Sequence, residues 1–311
     1  MKSKILVTGA AGFIGSHLCN RIVEDPDIQV VGVDNLRSGR WKRLAKGTVR
    51  IQKDLNDYSL DQFVDLLQGV DVLFHLAAEK YNSSKSTPEK LIATNVSATE
   101  RLFRAASIAK VKRTVFTSSL YAYGSMGPFA MDEKDVPAPN TLYGVSKLAG
   151  EGFLRSIDRE LGLSWNVARL FFIYGPFQYA EGGYRSVIVS NFCRINRKEA
   201  PLIFGNGEQS LDYVFIDDCI DALLKLAYSQ ADREVVNVAS GDPVSINRLT
   251  NEMLIASKFR EKASHAEQDW THGSKRFGSP NRIERLFGWR ATTTLSSGLE
   301  SVYKLLGEGD E

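Results

Sequence analysis

Short apolar runs alternate with segments of helical periodicity through the first 170 residues of the chain. The runs are apolar almost throughout, as is typical of parallel strands that are covered on both faces of a sheet. Between the first two runs, Ile14, Leu18 and Ile22 recur every fourth residue and predict a helix with one apolar stripe against the sheet. The alternation therefore predicts a doubly wound α/β sheet. Its predicted strands are Ile5–Val7, Ile28–Val33, Val49–Ile51, Val70–His75, Thr114–Thr117 and Asn166–Leu170.

The pattern loosens after Gly175-Pro176, where glycine-rich stretches such as Gly205-Asn206-Gly207 interrupt it. One further strand-like run, Val235–Val238, follows later in the chain. We therefore expect a main domain over residues 1–171 and a smaller C-terminal lobe over residues 172–311. The two parts would be partly interleaved if the late strand returns to the main sheet.

Charge and composition argue against several classes of function. The 311 residues include 39 basic and 37 acidic side chains, a net charge of +2, so no basic surplus predicts binding to nucleic acid or an anionic membrane. No apolar stretch approaches the roughly 20 residues that span a bilayer, and the first apolar run ends at Thr8-Gly9, too soon for a signal peptide. The cysteines form no CxxC pair and the histidines have no metal-ligand spacing. We expect a cytoplasmic protein without a metal site.

Three glycines suggest a site for a dinucleotide. Gly9, Gly12 and Gly15 directly follow the first predicted strand and open the first predicted helix. Glycine permits a tight turn and lets the backbone approach a pyrophosphate closely. The free N–H groups at the start of this helix, around Phe13 and Ile14, would stabilise the phosphate charge.

An acidic residue, Asp34, ends the second predicted strand about 20 residues after the glycine turn. Its carboxylate can accept hydrogen bonds from both hydroxyls of an adenine ribose and would repel a 2′-phosphate, so NAD is favoured over NADP. Arg37 and Arg40 lie nearby in the sequence and count against that choice. Asp54-Leu55, after the third strand, is a candidate to contact adenine, and a surface helix cap is the alternative for Asp54.

The fourth predicted strand ends at His75, which is followed by Leu76, Ala77 and Ala78. Small residues at this point would let the chain pass beneath a bound cofactor. A histidine in such a position is more often a core residue with satisfied hydrogen bonds than a catalytic group, so we assign it no catalytic role.

Tyr143 and Lys147 lie four residues apart at the start of a helical pattern, so both side chains share one helix face. A tyrosine normally titrates near pH 10, and a nearby ammonium would lower the pKa of Tyr143 by stabilising the phenolate. Lysine can also bind the nicotinamide ribose. Thr117-Ser118-Ser119 ends the fifth strand, where an open α/β sheet places its ligand crevice. The Ser119 hydroxyl is therefore a candidate to bind the reacting oxygen, and a helix cap or turn is the alternative.

With these residues assembled, the chain resembles the extended short-chain dehydrogenase/reductase family, particularly its nucleotide-sugar epimerase branch, of which UDP-glucose 4-epimerase is a member. The likeness covers nearly the whole chain. The resemblance implies a Rossmann domain that holds NAD and a smaller substrate-binding lobe. It rests on Gly9/Gly12/Gly15, Asp34-Asn35-Leu36, Asp54-Leu55, His75–Ala78, Thr94-Asn95-Val96, Ser118-Ser119 ahead of Tyr123-Gly124, Tyr143 with Lys147, Arg169 ahead of Tyr174-Gly175-Pro176, Gly207-Glu208-Gln209 ahead of Asp212-Tyr213, Asn237-Val238 and Gly288-Trp289.

The resemblance also implies a mechanism. Tyr143, as phenolate, would take a proton from a sugar hydroxyl while a hydride passes to NAD⁺, and the keto intermediate would turn over and receive the hydride on its other face. Ser119 would polarise the reacting oxygen and Lys147 would tune Tyr143. The implied cofactor-binding residues are Gly9, Gly12, Phe13, Ile14, Gly15, Asp34, Asn35, Asp54, Leu55, Leu76, Ala77, Ala78, Asn95, Thr117, Tyr143 and Lys147.

Two residues after Ser119 favour epimerisation over the other reactions of the family. Dehydratases carry an Asp-Glu pair, and decarboxylases a glutamate, where this chain has Leu120 and Tyr121. Without an acid there, elimination and decarboxylation are disfavoured, and epimerisation at C4 is expected. A sugar dehydrogenase or ketoreductase of the same family is the alternative, and a non-catalytic NAD-binding sensor is less favoured.

Two positions depart from the family pattern for binding the substrate diphosphate. Family members usually carry asparagine where this chain has Phe172 and arginine where it has Leu211. Loss of an arginine removes a charged, bidentate phosphate donor, whereas Arg276 resembles another diphosphate-binding arginine. A nucleotide sugar is still the expected substrate. The implied substrate-binding residues are Ser84, Ser119, Tyr121, Phe172 and Arg276.

Two helical segments resemble the dimer-forming helices of the family. One runs from Leu91 to Ala109 and the other begins near Tyr143. Together they would form a four-helix interface in a homodimer, although core packing explains the same apolar stripes without a dimer.

Overall fold

The computed structural model describes residues 2–124, 127–178, 186–269, 271 and 273–307. Within these ranges the largest sheet has seven parallel strands. They are β1 (Ser3–Thr8), β2 (Ile28–Asp34), β3 (Val49–Gln52), β4 (Val72–His75), β5 (Arg113–Ser119), β6 (Trp165–Leu170) and β10 (Glu234–Val238). Their spatial order is β3-β2-β1-β4-β5-β6-β10, so the direction of winding reverses between β1 and β4. Open α/β sheets bind their ligands outside the carboxyl ends of the strands at such a point.

Helices cover both faces of this sheet, which explains why its inner strands β1 and β4 are mainly apolar and buried, whereas the edge strand β3 is largely exposed. Along β1, Ile5 and Val7 pack into one core cluster, whereas Leu6 packs into the cluster on the other face. The first cluster includes α1 and α8, and the second includes α2, α5 and α6. The bounds of these helices are α1 (Phe13–Ile22), α2 (Leu60–Leu67), α5 (Thr99–Ile108), α6 (Leu142–Leu161) and α8 (Ile216–Tyr228).

A second, smaller sheet is formed mainly by the C-terminal part of the chain. In it β9 pairs with β7, β11 and β13, and a separate pair joins β8 to β12. The strands are β7 (Phe172–Tyr174), β8 (Leu202–Phe204), β9 (Ser210–Phe215), β11 (Pro243–Ser245), β12 (Ser264–Ala266) and β13 (Lys275–Arg276). The helices of this part are α7 (Val187–Asn196), α9 (Ile246–Ser257), α10 (Asn281–Phe287) and α11 (Leu295–Gly307).

Short elements follow β4 and lead into α5. They are the helices α3 (Ser83–Ser86) and α4 (Pro88–Ile92) and a π-helical segment, Ala93–Ala98. The predicted helix from Leu91 to Ala109 thus contains a π-helical stretch that periodicity did not predict. Segments of this kind are frequent at functional sites.

The predicted doubly wound α/β fold is confirmed, and each predicted strand is present with ends that lie within two residues of the predicted ones. The predicted strand Val235–Val238 corresponds to β10, which pairs with β6 at the edge of the main sheet. The division of the chain at residues 171 and 172 stays a prediction. None of the described helices combines the length and apolarity needed to cross a membrane.

Candidate active site

The turn between β1 and α1 is so tightly closed that it requires glycine. Gly9 has a φ of 71°, and a Cβ there would lie 2.8 Å from the backbone nitrogen of Ala77. A Cβ on Gly15 would lie 2.1 Å from the Gly9 carbonyl oxygen. Helix α1 begins at Phe13 after the N-cap Gly12, which provides no side-chain cap. The helix N–H groups at this turn therefore have no side-chain cap, and the glycines beside them leave room for a pyrophosphate.

Asp34 is fixed next to this turn at the end of β2. Its Oδ2 accepts a hydrogen bond from the Ala11 N–H at 3.0 Å, and its Oδ1 accepts one from the Leu36 N–H at 2.7 Å. Burial raises the pKa of Asp34, and these two hydrogen bonds oppose that rise. A Cβ on Gly39 would lie 2.9 Å from Oδ1, so the chain after β2 closes around the carboxylate. The geometry suits a carboxylate that receives ribose hydroxyls at the crevice edge.

A pocket of about 350 Å³ lies beyond Asp34, between the loops that follow β2 and β3. Asp54 caps the 3₁₀ turn Leu55–Asp57 by accepting the Asn56 N–H at 3.0 Å, so the predicted helix-cap role is observed. Its Oδ2 also accepts Asn35 Nδ2 at 2.8 Å. Burial raises the pKa of Asp54, but the hydrogen bonds from Asn56 and Asn35 and the charge of Arg37 bring it below its usual value. The pocket is lined by Asn35, Arg37, Gln52, Lys53, Asp54 and Asp57.

The two arginines that counted against NAD have other partners. Arg37 forms an ion pair with Glu79, and its Nη2 lies 3.8 Å from Asp54 Oδ2. Arg40 Nη1 donates a hydrogen bond to the Gly39 carbonyl at 2.9 Å. The charge of Arg37 is therefore already compensated by two carboxylates, which weakens the argument for a 2′-phosphate site.

His75 at the end of β4 is a buried, neutral core residue. Its Nδ1 lies 2.7 Å from Thr8 Oγ1 and its Nε2 lies 3.0 Å from Thr99 Oγ1, so both ring nitrogens have partners. Burial, with the charge of Lys147, lowers the pKa of His75 to about 3. The ring stacks on Phe116 with centroids 5.6 Å apart. These contacts agree with the assignment of no catalytic role.

The three small or apolar residues after His75 run directly beside the glycine turn. The N–H of Leu76 donates to the Thr8 carbonyl at 3.2 Å, and the N–H of Ala77 donates to Thr8 Oγ1 at 3.3 Å. Ala78 continues the same loop and is partly exposed. The loop therefore forms one wall of the crevice, as expected, and its contact with a cofactor stays a prediction.

Asn95 holds this loop against the helix that follows β5. Its Oδ1 accepts the Glu79 N–H at 2.8 Å, and its Nδ2 donates to the Glu79 carbonyl at 3.0 Å and to Ser146 Oγ at 3.1 Å. The residue is buried within the π-helical segment Ala93–Ala98. Since both amide hydrogens have protein acceptors, these contacts indicate a structural role, and direct cofactor binding by Asn95 stays a prediction.

Three side chains with acid–base chemistry converge at the carboxyl end of β5. Thr141 caps α6 and places Tyr143 in its first turn, with Lys147 one turn later. Lys147 Nζ donates to the Thr117 carbonyl at 2.9 Å and lies 5.9 Å from the centre of the Tyr143 ring. The Ser119 side chain is a hydrogen-bond partner of the Tyr143 phenol. The sequence-predicted catalytic residues are thus brought together.

Burial has the largest effect on the pKa values of Tyr143 and Lys147. It raises the pKa of Tyr143 to about 12, against the opposing hydrogen bond from Ser119 and with a further rise from Tyr121. It lowers the pKa of Lys147 to about 7. Loss of water around the phenol is the largest influence on the pKa of Tyr143, and the lowering of that pKa by Lys147 stays a prediction. A phenolate here needs further positive charge beside the ring.

A buried ion pair behind α6 was not predicted from the sequence. Glu151, one turn after Lys147, accepts Arg169 Nε at 2.9 Å and Nη2 at 2.8 Å, and it also accepts the Ser118 hydroxyl at 2.6 Å. The Arg169 guanidinium lies 4.5 Å from the centre of the Tyr123 ring. The network fixes α6 on β5 and β6 directly behind the catalytic residues. The signal in the sequence is one arginine in an otherwise uncharged strand and a glutamate at helical spacing from the lysine.

A chain of contacts extends from Tyr143 through the rings of Tyr121 and Tyr81 to the hydroxyl of Ser84. The Tyr121 ring packs edge-on against Tyr143, with centroids 5.8 Å apart and an interplanar angle of 81°. Tyr81 stacks on Tyr121 at 5.2 Å. Ser84 donates a hydrogen bond to the Tyr81 carbonyl at 2.5 Å. Tyr121 therefore lies against Tyr143, and Ser84 is connected to it through Tyr81; the contact of Ser84 and Tyr121 with substrate stays a prediction.

The two departures from the diphosphate pattern lie on adjacent strands of the second sheet. Phe172 opens β7 opposite Tyr213 on β9, with ring centroids 6.2 Å apart. Leu211 on β9 is paired in register with Arg276 on β13, and Arg276 is buried. The arginine predicted to bind a diphosphate is therefore beside the position where an arginine is replaced. Its binding role stays a prediction.

No cluster of three or more histidine, cysteine or acidic side chains with the arrangement of a metal site occurs within the described part of the chain. Cys19, Cys193 and Cys219 are all free; Cys19 and Cys219 are buried, whereas Cys193 is partly exposed.

Comparison with protein families and curated proteins gives consistent matches. The model of the NAD dependent epimerase/dehydratase family matches residues 5–239. The chain is 31% identical to the uncharacterised UDP-glucose epimerase YtcB of Bacillus subtilis over 95% of each chain. More distant relatives include a dTDP-D-glucose 4,6-dehydratase and a UDP-N-acetyl-alpha-D-glucosaminuronate decarboxylase.

Solved structures agree with these matches. The UDP-N-acetylglucosamine 4-epimerase of Methanobrevibacter ruminantium M1, in complex with UDP-N-acetylmuramic acid, is 27% identical, has a TM-score of 0.92 and is matched over 99% of each chain. The UDP-glucuronic acid 4-epimerase of Bacillus cereus, in complex with UDP-glucuronic acid and NAD, is 26% identical with a TM-score of 0.87, over 98% of this chain and 99% of that one. These neighbours are nucleotide-sugar 4-epimerases, and the predicted family resemblance is confirmed.

Proposed function

Because the chain belongs to the NAD-dependent epimerase/dehydratase family, we propose that it is an NAD-dependent nucleotide-sugar epimerase that inverts C4 of a hexose. The observation that carries this proposal is the convergence of Ser119, Tyr143 and Lys147 at the end of β5, next to the glycine turn. The epimerase names of its relatives and the 4-epimerase names of its structural neighbours support both the reaction and the substrate class.

Each of the three residues has one role in the proposed reaction. When bound, NAD⁺ would supply the hydride acceptor and donor for the sugar carbon and a positive charge in the site. That charge would lower the pKa of Tyr143, so that its phenolate would take the proton from the C4 hydroxyl. Ser119 holds the same oxygen. Lys147 is oriented by the Thr117 carbonyl and keeps further N–H donors for ribose hydroxyls.

Leu120 and Tyr121 support epimerisation over dehydration. Elimination of water requires an acid to protonate the leaving hydroxyl. The two residues after Ser119 supply an aliphatic side chain and a phenol. The phenol of Tyr121 packs against the Tyr143 ring. A ketone formed at C4 is therefore reduced again rather than dehydrated.

The test of this proposal begins with native mass spectrometry of the purified protein for retained NAD. The protein is then incubated with UDP-, GDP-, CDP- and dTDP-sugars. We expect one pair of 4-epimers to interconvert from either side without net formation of NADH. Stoichiometric NADH with a ketone product would instead support a sugar dehydrogenase, which the apolar Phe172 and Leu211 favour. Full biological activity of Tyr143→Phe would support a sensor.

The same proposal covers the substrate-binding residues, the substrate-binding lobe and the cellular location. We propose substrate contacts from Ser84, Ser119, Tyr121, Phe172 and Arg276, with the lobe over residues 172–311 as the substrate-binding part. A cytoplasmic location is in keeping with three free cysteines.

We also propose a homodimer through α5 and α6. Ile108, Val145 and Leu161 on these helices are each nearly half exposed, which supports a contact surface there. Light scattering coupled to size-exclusion chromatography would measure the oligomer, and a monomer at micromolar concentration would contradict the dimer.

A further inference from the structure

One ion pair connects the two loops on either side of the glycine turn. Arg37 lies in the loop after β2 and Glu79 lies in the loop after β4. In the sheet, β2 and β4 are the two neighbours of β1, whose carboxyl end carries the turn at Gly9. The Arg37–Glu79 ion pair therefore joins the two loops that flank the glycine turn at the carboxyl end of the sheet.

The Glu79 end of this bridge is firmly held. Its backbone N–H and carbonyl are both bonded to the Asn95 side chain, and Asn95 is bonded in turn to Ser146 on the catalytic helix. Its Oε2 accepts the Ser83 hydroxyl at 2.8 Å, and its side chain is only 12% exposed. The carboxylate is thus fixed before any ligand is present.

The Arg37 end is oriented but more exposed. Its N–H donates to Asn35 Oδ1 at 3.0 Å, and its guanidinium also lies near Asp54 across the pocket. The side chain is 48% exposed, so it can swing away from Glu79 without breaking core packing. The Glu79 side chain is therefore fixed, whereas the Arg37 side chain is able to move away from it.

We propose that the Arg37–Glu79 pair is a clasp that retains the dinucleotide. This inference rests on the proposed function, in which NAD is recycled within each turnover and must stay bound. The dinucleotide lies beneath the pair and leaves only after the pair separates. Arg37 therefore acts in cofactor retention rather than in recognition of a 2′-phosphate.

The expected effect is set by the strength of a partly exposed ion pair. Such pairs contribute at most about 1 kcal/mol, which corresponds to about fivefold in a rate. The contribution falls as salt screens the charges. Loss of the clasp should therefore accelerate NAD release about fivefold at low salt and remove most of the salt dependence of that release.

The test measures NADH dissociation from the full-length protein by stopped-flow fluorescence against excess NAD. The variants are Arg37→Gln, Glu79→Gln and the double variant, with Arg290→Gln as a control that breaks a comparable exposed pair with Glu284. Each single variant should release NADH about fivefold faster than the wild type, and the control should not. The double variant should match the singles, because one interaction can be lost only once.

Three results would overturn the clasp. These are unchanged release from both single variants, slower release from either, or a double variant whose effect equals the product of the two singles. Equal thermal melting temperatures would show that the variants are folded. A wild-type protein that binds no NAD(H) would overturn the proposed function as well, so the two failures are distinguishable.

Discussion

The cofactor crevice and the substrate side of this protein are built from different parts of the chain and by different contacts. Around the crevice, main-chain geometry dominates: Gly9 and Gly15 are in contact with backbone atoms, and Asp34 is held by two backbone N–H groups. Most of these contacts lie within residues 9–36, and Gly9 also approaches the backbone of Ala77. Substitutions in this region should therefore act on folding, on cofactor binding or on the rate of the chemical step.

The substrate side depends on side chains that meet only in the folded chain. Phe172, Leu211 and Arg276 come from β7, β9 and β13, three strands separated widely in sequence. No tight backbone approach fixes the identity of Phe172 or Leu211. We therefore propose that the crevice sets the reaction type, whereas exchangeable side chains of the proposed substrate lobe set the choice of substrate.

The largest effect should come from Tyr143→Phe. Removal of the phenol should lower kcat by about 10³-fold, because proton transfer from the sugar hydroxyl loses its base, while the retained NAD stays unchanged. Steady-state epimerisation and NAD content would be compared with those of Tyr228→Phe, a control at an exposed tyrosine. A loss of less than tenfold would mean that Tyr143 is not the base.

Lys147 should make the free energy of unfolding of the protein depend on pH. Burial lowers its folded pKa from 10.5 to about 7, so between these values the unfolded chain binds more protons than the folded one. Stability should therefore rise by about 3 kcal/mol from pH 7 to 10 relative to Lys147→Met. Above pH 10 the raised pKa of Tyr143 acts in the opposite direction. Urea unfolding of the cofactor-free protein measures both curves, and parallel curves would contradict the prediction.

Two helical glycines should respond in opposite ways to alanine. Gly15→Ala places a Cβ 2.1 Å from the Gly9 carbonyl and should cost about 2 kcal/mol or more, with loss of NAD binding. Gly152→Ala on α6 meets no atom within 4 Å and should stabilise the protein by about 0.5–1 kcal/mol. Chemical denaturation tests both. Equal effects would show that the turn tolerates a side chain.

The smallest effect is expected in the lobe. Phe172→Asn adds a hydrogen-bond donor opposite Tyr213 and should lower KM for a nucleotide sugar about fivefold, with kcat within twofold. Phe204→Asn, at an exposed phenylalanine on β8, serves as the control. A change confined to kcat would contradict the assignment of substrate binding to the lobe and of the chemical step to the crevice.

The parts of the fold that depend on local pattern were predictable from the sequence. Most strands of the main sheet contain an apolar run, and the glycine turn and the Tyr143/Lys147 spacing are local signals. The Arg37–Glu79 and Glu151–Arg169 ion pairs were not predictable, because their partners are distant in sequence and carry no periodic signal.

Two further features depend on tertiary structure alone. The π-helical segment Ala93–Ala98 has the same apolar periodicity as an ordinary helix. The raised pKa of Tyr143 follows from how completely neighbouring atoms exclude water, which spacing on a helix cannot reveal. Resemblance to a family predicted the residues of the candidate site, whereas the effect of burial on the pKa values of Tyr143 and Lys147 depends on the folded arrangement.

The last strand of the main sheet has a consequence for synthesis on the ribosome. Five residues of β10 pair with β6, and every residue of β6 is buried in the finished protein. A nascent chain that has not yet extended past Val238 presents β6 with one unpaired edge, open to pairing with other chains. Cells that express a version truncated after β6 should therefore accumulate aggregates rather than a working dinucleotide-binding fragment.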